Sequence, residues 1–520
     1  MLKVIATTAP HWIAKKNIDR SISLNSRDPY SLYNAIRYAA DMANNKVAVW
    51  GESNWNTFEG RMESIILFEY YENQKKDYIN LLNKISPNLL LIGSMTIGFA
   101  GAIEIAKIAK EIFGDSIFIV IGGKHIIETV YKIDGKIFSN GNSCLELMKL
   151  RKIPPVFDLV ISGDGEEVIF EIGNIIGEQN IGKLNDHFYE EIYKLKRAKG
   201  NWIAGWLDKN NDCKYLTSNG IDLNQDELPM PMNLFGLQSN FPIFQSKITA
   251  HTYSYLSKGC PFNCFFCSEK NTINGNITQT QNAPERLYKQ FHELFEYGIK
   301  NKIDKVSAFV EDSVLLGGNV KLFNRLNALL SESYIKLSFG CQMTSDLLLK
   351  NEIKKSIKDL SFNGLSYIFI GLETNNSDIA SKMSKNTIRQ KSWIEKYEEI
   401  IGLLNDLNIK SGFSILFGLG EKHEERIELL NQLNVWQKKF GAPHVVSLNF
   451  ATKHPLQNYT LVQDDYIKWG TSLNSPLLPI FTELFGEASE KYIMPDTTLP
   501  TAEEFLQIAD LFSKLNLIYQ

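Results

Sequence analysis

Cys260, Cys264 and Cys267 stand in the run SKGCPFNCFFCSEK with CxxxCxxC spacing, half of the six cysteines in 520 residues. Thiolates are the usual ligands of iron–sulfur clusters. Three thiolates can hold three irons of a cubane and leave the fourth open to a small molecule that takes an electron. A structural zinc site usually wants four ligands, often as two CxxC-type pairs. No fourth cysteine or histidine lies at suitable spacing, the next histidine being His292. A disulfide framework needs pairing partners and an oxidising compartment. The ligand arithmetic therefore favours a cluster.

Other segments carry groups suited to a ligand. In IFIGLETNNSDIASKMSKN, Glu373 can accept hydrogen bonds from hydroxyls or sit as a charge at a helix N-terminus. In ILFGLGEKHEE, Gly418 permits close approach to the backbone, and Glu421 either joins that site or caps the next helix. The carboxylates of Val310-Glu311-Asp312-Ser313 either meet a ligand or form a solvated turn. Cys341, placed just after a strand, is a hydrogen-atom donor at an open site or a small buried hydrophobe. Cys144 and Cys213 are assigned no chemistry.

These residues need a scaffold. Short apolar runs alternate with helical patterns over the first part of the chain, as in a doubly wound parallel sheet. Strands are expected at Lys3–Ala6, Val47–Trp50, Leu89–Ile92, Ile117–Ile121 and Leu159–Ser162, and helices at Tyr30–Ala43, Tyr78–Ile85, Ala100–Ile112 and from Glu167. Ligands lie at the carboxyl ends of such strands, where Gly93, Ser94, Gly122, Gly123, Gly163 and Gly165 cluster. Tight turns without a ligand explain glycines equally well. No GxGxxG opens the first helix, which argues against a dinucleotide.

Residues 181–245 are polar and contain DELPMP, which reads as an insertion plus linker. Further strands are expected at Tyr253–Leu256, Val306–Val310, Lys336–Phe339, Tyr367–Ile370, Gly412–Leu416 and Val445–Phe450. Six βα units argue for a partial (β/α) barrel with chemistry at the strands' C-terminal ends. The expected domains are residues 1–180, the linker 181–245, the barrel 246–460 and a helical segment 461–520. Net charge is −4, with 44% hydrophobic and 22% charged residues. That balance implies no basic surface for a nucleic-acid backbone, and no apolar run reaches membrane-spanning length. The short apolar start reads as a strand rather than a signal peptide, so a cytoplasmic location is expected.

The three-cysteine spacing resembles that of radical SAM enzymes, which bind a 4Fe–4S cluster and S-adenosylmethionine (SAM) there. Phe266 fills the place of the aromatic residue that precedes the third cysteine and packs near the adenine. IFIGLETNNSDIASKMSKN resembles the family's GxE segment, with Met383-x-Lys385 downstream, which implies SAM contacts at Gly371 and Glu373. ILFGLGEKHEE resembles its GlPGE turn, with Gly420 where proline is common, and implies Gly418 at the adenosine. Glu311 lies where relatives carry an acidic residue that meets the methionine amino group or orients substrate.

Residues 1 to about 460 together resemble the cobalamin-binding-domain radical SAM enzymes. Pro87-Asn88-Leu89 through Gly93-Ser94, VIGGKH (Val120–His125), DLVISGDGE (Asp158–Glu166) and DELPMP match that family's runs in order. The chain lacks a DxHxxG motif, as most members do. Lys453, His454 and Pro455 replace the frequent Pro-Gly-Thr run, which leaves substrate contacts open.

The resemblance implies reductive SAM cleavage to a 5′-deoxyadenosyl radical, a flavodoxin- or ferredoxin-type electron donor, and cobalamin held by the glycine-lined loops. Methylation of an unactivated carbon of a natural product or peptide follows. Peptide epimerisation or cyclisation, with Cys341 as donor, is the alternative. A non-catalytic cobalamin or SAM sensor would have no need of an open iron.

Overall fold

The computed structural model describes residues 2–10, 23–24, 62–67, 71–96, 98–177, 184–223, 241–254, 259–267, 269, 281–383, 391–451 and 500–518. The expected strand Val47–Trp50 and helix Tyr30–Ala43 lie outside the described residues, as do Lys385 and Lys453–Pro455. The described residues fall into two compact units, with the change between residues 223 and 241.

The first unit is built on an eight-stranded sheet. Its strands are β1 (Lys3–Thr8), β2 (Ser23–Leu24), β3 (Met62–Leu67), β4 (Leu89–Gly93), β5 (Phe118–Gly122), β8 (Leu159–Gly163), β9 (Trp202–Leu207) and β10 (Cys213–Thr217). β6 (Val130–Ile133) and β7 (Lys136–Ser139) form a separate hairpin. The order is β10-β9-β8-β5-β4-β1-β3-β2. β3, β1, β4, β5 and β8 run parallel, while β9, β10 and β2 join antiparallel.

Strand side chains alternate between the two faces, and both faces are buried. Ile5, Leu90, Ile92, Ile119, Ile121 and Val160 pack beneath helices Tyr71–Ile85 and Phe99–Phe113. Val4, Ala6, Leu89, Leu91, Phe118, Val120, Leu159 and Ile161 pack on the other side under helices Glu166–Gly177 and Leu184–Glu191. Burial on both sides is why these strands read as continuous apolar runs.

Residues 181–245 are not simply an insertion and linker. Trp202–Thr217 forms a hairpin that extends the first sheet from β8. Its outer strand, β10, is only half-buried and short, with Lys214 and Thr217 among its five residues, so the apolar signal there is weak.

The second unit is a six-stranded parallel sheet of β11 (Ile248–Thr252), β12 (Val306–Val310), β13 (Ser338–Thr344), β14 (Leu365–Glu373), β15 (Lys410–Phe417) and β16 (Val445–Phe450). They are hydrogen-bonded in sequence order. Helices Ala283–Lys300, Val320–Ser331, Asn351–Phe362, Trp393–Asp406 and His423–Phe440 alternate with them. This is the repeated βα arrangement expected, with helices on one face.

One face of each strand meets those helices. Phe339 packs on Phe291 with ring centroids 5.1 Å apart, and Phe413 on Trp436 at 6.0 Å. The opposite, inner face is filled at the N-terminal end by Ile243, Phe244, Phe309 and Tyr367. Gly340 and Gly412 make room for Tyr367, since a Cβ at either would press within 2.9 Å and 2.3 Å of its ring and hydroxyl. Helix Ala502–Ser513 belongs to this unit and stacks Phe505 on Phe450 at 6.3 Å.

β11 is Ile248–Thr252 and ends just before the expected strand Tyr253–Leu256 begins. β13 runs on to Thr344, five residues past its expected end. Both shifts matter for the site.

Candidate functional site

The site of the second unit lies at the C-terminal ends of its strands. Cys264 is buried and packs with Ile379 and Met383 after β14, Leu419 after β15 and Ala451 after β16. Phe262, Phe265, Phe266 and Cys267 lie against the same cluster. The structure thus brings together the cysteine run, the GLET segment through Met383, and the GLGE turn. Cys260 N–H donates to the Glu269 carbonyl at 2.8 Å, closing the loop upon itself. Glu269 N–H points to the Cys267 sulfur at 3.4 Å.

None of the six cysteines forms a disulfide. Among the described residues no three His, Cys, Asp or Glu side chains converge on one point as ligands of a single ion would. A cubane takes its thiolates on three different irons, so a single point of convergence is not what it needs. Three thiols on one loop, at the carboxyl ends of a parallel sheet, fit that donor set.

Glu373 ends β14 with φ +65°, in the left-handed region, which costs a non-glycine residue about 1–3 kcal/mol. The β14–β15 register slips between Gly371 and Glu373. The result is a nearly buried carboxylate whose Oε2 accepts from the Ser414 hydroxyl at 3.3 Å. The Tyr397 hydroxyl donates to the Gly371 carbonyl at 3.3 Å. Glu373 is therefore no helix-terminal charge. The short helix that follows, Ser377–Ser381, is capped by the Asn376 side chain.

Glu421 settles into a different role from either alternative in the sequence. Its carboxylate accepts from Gly418 N at 2.6 Å and Leu419 N at 2.9 Å, and Arg426 Nε donates to it at 2.7 Å. Both charged residues are at most 2% exposed. Glu421 is the tie that shapes the GLGE turn, with Gly418 at φ +83° and Gly420 at φ +114°. The helix cap itself is made by Lys422 and Glu425.

The two carboxylates after β12 also part company. Asp312 is fully buried and accepts from Ser254 N at 3.0 Å and Leu316 N at 3.2 Å. Burial pushes its carboxyl up to about 6 against those hydrogen bonds. It ties the end of β11 to the turn after β12. Glu311 pairs with His251 Nδ1, a residue that the misplaced β11 had hidden from sequence reasoning.

Cys341 is corrected by the length of β13. It lies mid-strand and is fully buried. Phe339 faces the helices and Gly340 the inner face, so alternation turns Cys341 toward the helices. Burial, with the Asp312 charge added, pushes its thiol well above the ordinary range. It is a small buried hydrophobe, not a donor to an inner-face ligand.

In the first unit the glycine-ended strands meet their own neighbours. Gly123, at φ +97°, has no room for a Cβ, which would lie 2.7 Å from the Ser94 backbone. Ser94 N donates to the Gly122 carbonyl at 2.9 Å and its own carbonyl accepts from His125 N at 3.0 Å. Gly163, at φ +91°, would place a Cβ 2.1 Å from the Asn201 carbonyl. These two glycines are explained by backbone crossings. Gly93 and Gly165 share the same carboxyl end of the sheet, beside them. His125 is fully buried and stacked on Phe99 at 4.0 Å, and burial lowers it to about 3. It is a neutral core residue.

Residues 254–433, within the second unit, match the family model of the Radical SAM superfamily. An uncharacterized methyltransferase, PH0819 of Pyrococcus horikoshii, is 23% identical over 320 residues, 61% of this chain and 58% of its own. The solved cobalamin-dependent S-adenosylmethionine radical enzyme OxsB, with aqua-cobalamin and SAM bound, has a similar fold at TM-score 0.50 and 14% identity, over 83% of this chain and 52% of its own. The radical SAM methyltransferase TsrM of Kitasatospora setae aligns at TM-score 0.45 and 12% identity, over 87% and 73%. The chain thus spans little more than half the length of PH0819 and OxsB. Among the described residues no helix is long and apolar enough to cross a membrane.

Proposed function

We propose that this chain is a cobalamin-dependent radical SAM methyltransferase acting on a carbon of a small molecule or peptide. The observation that carries the reading is the packing of the Cys264 loop against the segments that follow β14, β15 and β16. Cys260, Cys264 and Cys267 would hold a 4Fe–4S cluster, which supplies the electron for SAM cleavage. Phe266, Gly371, Glu373 and the Gly418 turn would hold SAM. The strained Glu373 presents a fixed carboxylate to hydroxyl donors, while Glu421 and Arg426 hold the turn open for close approach. Phe244, Phe309 and Tyr367 fill the other end of the inner face with packed rings, which suits positional catalysis on a reactive intermediate.

A cobalamin would lie at the carboxyl ends of the first sheet, against the backbone of Gly93, Ser94, Gly122 and Gly165, on an edge that the crossings at Gly123 and Gly163 shape. Ligands occupy that edge of doubly wound sheets, and OxsB, of similar fold, holds aqua-cobalamin. The Ser94–Gly122–His125 stitching would keep that edge in shape. An external reductant of the flavodoxin or ferredoxin class would supply electrons.

Anaerobic purification with hydroxocobalamin is expected to give one cobalt per chain, and Gly123→Ala, which drives a Cβ into the Ser94 backbone, to lose most of it. A cobalt-free wild-type protein that cleaves SAM would contradict the cobalamin assignment. A gain of one methyl mass in product tests methyl transfer.

Cys341 as a hydrogen donor would favour epimerisation within the alternative reading, and Cys341 faces the helices. Cys341→Ala is accordingly expected to cost about 1 kcal/mol of stability and to leave SAM cleavage unchanged. Urea denaturation and 5′-deoxyadenosine yield check both.

A further inference from the structure

The proposed chemistry leaves one inner-face pair unexplained. His251 is the fourth residue of β11, and its Nδ1 pairs with Glu311 Oε1. Phe241 stands edge-on to the imidazole at 5.5 Å and edge-on to Phe309 at the same separation. The register sets His251 beside Phe309, and Glu311 N donates to the Thr252 carbonyl at 2.9 Å. The imidazole is therefore held by the Phe241 ring and from the side by the end of β12. It lies on the inner face, with the site, rather than among the helices.

The neighbouring acid clarifies what the pair is for. Asp312 spends its oxygens on Ser254 and Leu316. Among the described residues the Glu311 side chain has no such backbone tie, and it is only partly buried. A carboxylate offers about four acceptor positions, and His251 uses one. A rotamer-rich glutamate fixed by one firm partner loses less freedom when a cationic ligand arrives.

We propose that His251 is a positioning residue: it holds the Glu311 carboxylate at the end of β12 so that Glu311 binds the α-ammonium group of SAM. This inference rests on the reading of Glu311 as a SAM contact. His251 itself touches no reacting atom.

The test measures SAM dissociation constants by equilibrium dialysis on the full chain with its cluster reconstituted. Wild type, Glu311→Gln, His251→Gln and the double variant are compared. Glu311→Gln and His251→Gln should each weaken SAM binding about tenfold, the usual scale for a hydrogen bond to a charged group. The double variant should be no weaker than Glu311→Gln, because His251 acts through Glu311. A SAM analogue lacking the α-amino group should bind wild type and His251→Gln alike, which a general packing defect would not produce.

Unchanged affinity in Glu311→Gln would refute the reading of Glu311, and this inference with it. Normal affinity in His251→Gln, beside weakened Glu311→Gln, would overturn the inference alone. Losses that multiply in the double variant would also overturn it. His251→Asn guards against a folding fault; loss of cluster absorbance in both His251 variants would make His251 a packing residue and end the proposal.

Discussion

Alanine at Cys260, Cys264 and Cys267 together is expected to abolish both the visible iron–sulfur absorbance and SAM cleavage, with the fold retained. The thiols sit on a loop at the strands' carboxyl ends. Only Cys264 is buried, and it belongs to a small satellite cluster of five buried residues. The large apolar clusters of the first unit contain none of the three. Their loss should therefore cost little stability beyond the usual ~0.5–3 kcal/mol of a point change. Chemistry should fall to background, because no remaining cysteine can substitute. Cys341 is turned to the helices, and Cys144 and Cys213 belong to the first unit. Iron content, absorbance and 5′-deoxyadenosine yield measure the effect. Persistence of absorbance and cleavage in the triple variant would refute the cluster assignment.

The second large effect is on stability. Glu421→Ala removes a carboxylate that pairs with the buried Arg426 and accepts from two backbone N–H groups at once. Breaking a buried ion pair costs about 3–5 kcal/mol, because the surviving charge is left in a low-dielectric interior. Glu421→Ala should therefore lower the urea midpoint of the second unit sharply. It should also loosen the Gly418–Gly420 turn, whose left-handed residues have lost their tie, and so weaken SAM binding. Glu421→Ala combined with Arg426→Met removes the buried positive charge as well. It should recover part of the stability while SAM binding stays weak. Equal stability of Glu421→Ala and wild type would show that the pair contributes nothing.

The legibility of this molecule followed its burial. β12 and β16 were readable to the residue, and β1, β4, β5 and β8 nearly so; apolar runs mark strands covered on both sides, and β16, at the sheet edge, shows through its alternation of buried and more exposed residues. β11 was misplaced because its inner face carries Thr249 and His251, polar side chains that interrupt the apolar signal. β13 was cut short by Gly340 and Gln342 for the same reason. That single error put Cys341 at the open end and led to a donor role that the structure removes.

The motifs fared differently. CxxxCxxC, GLET and FGLGE are local in sequence, and their resemblance to radical SAM runs implied a shared site. The partition of roles within them was not legible. Nothing in Glu311-Asp312 says that one acid ties a turn while its neighbour takes a histidine 60 residues away. Nor could Gly123 and Gly163 be assigned to backbone crossings, since a glycine needed for a ligand and one needed for a neighbouring chain look alike in sequence.

The central claim is that this chain cleaves SAM reductively at the three-cysteine loop. The direct measurement is chromatography of SAM products after anaerobic cluster reconstitution and reduction. 5′-Deoxyadenosine that appears with wild type and vanishes without reductant is the predicted result. SAM recovered intact from a fully cluster-loaded, reduced protein would contradict it.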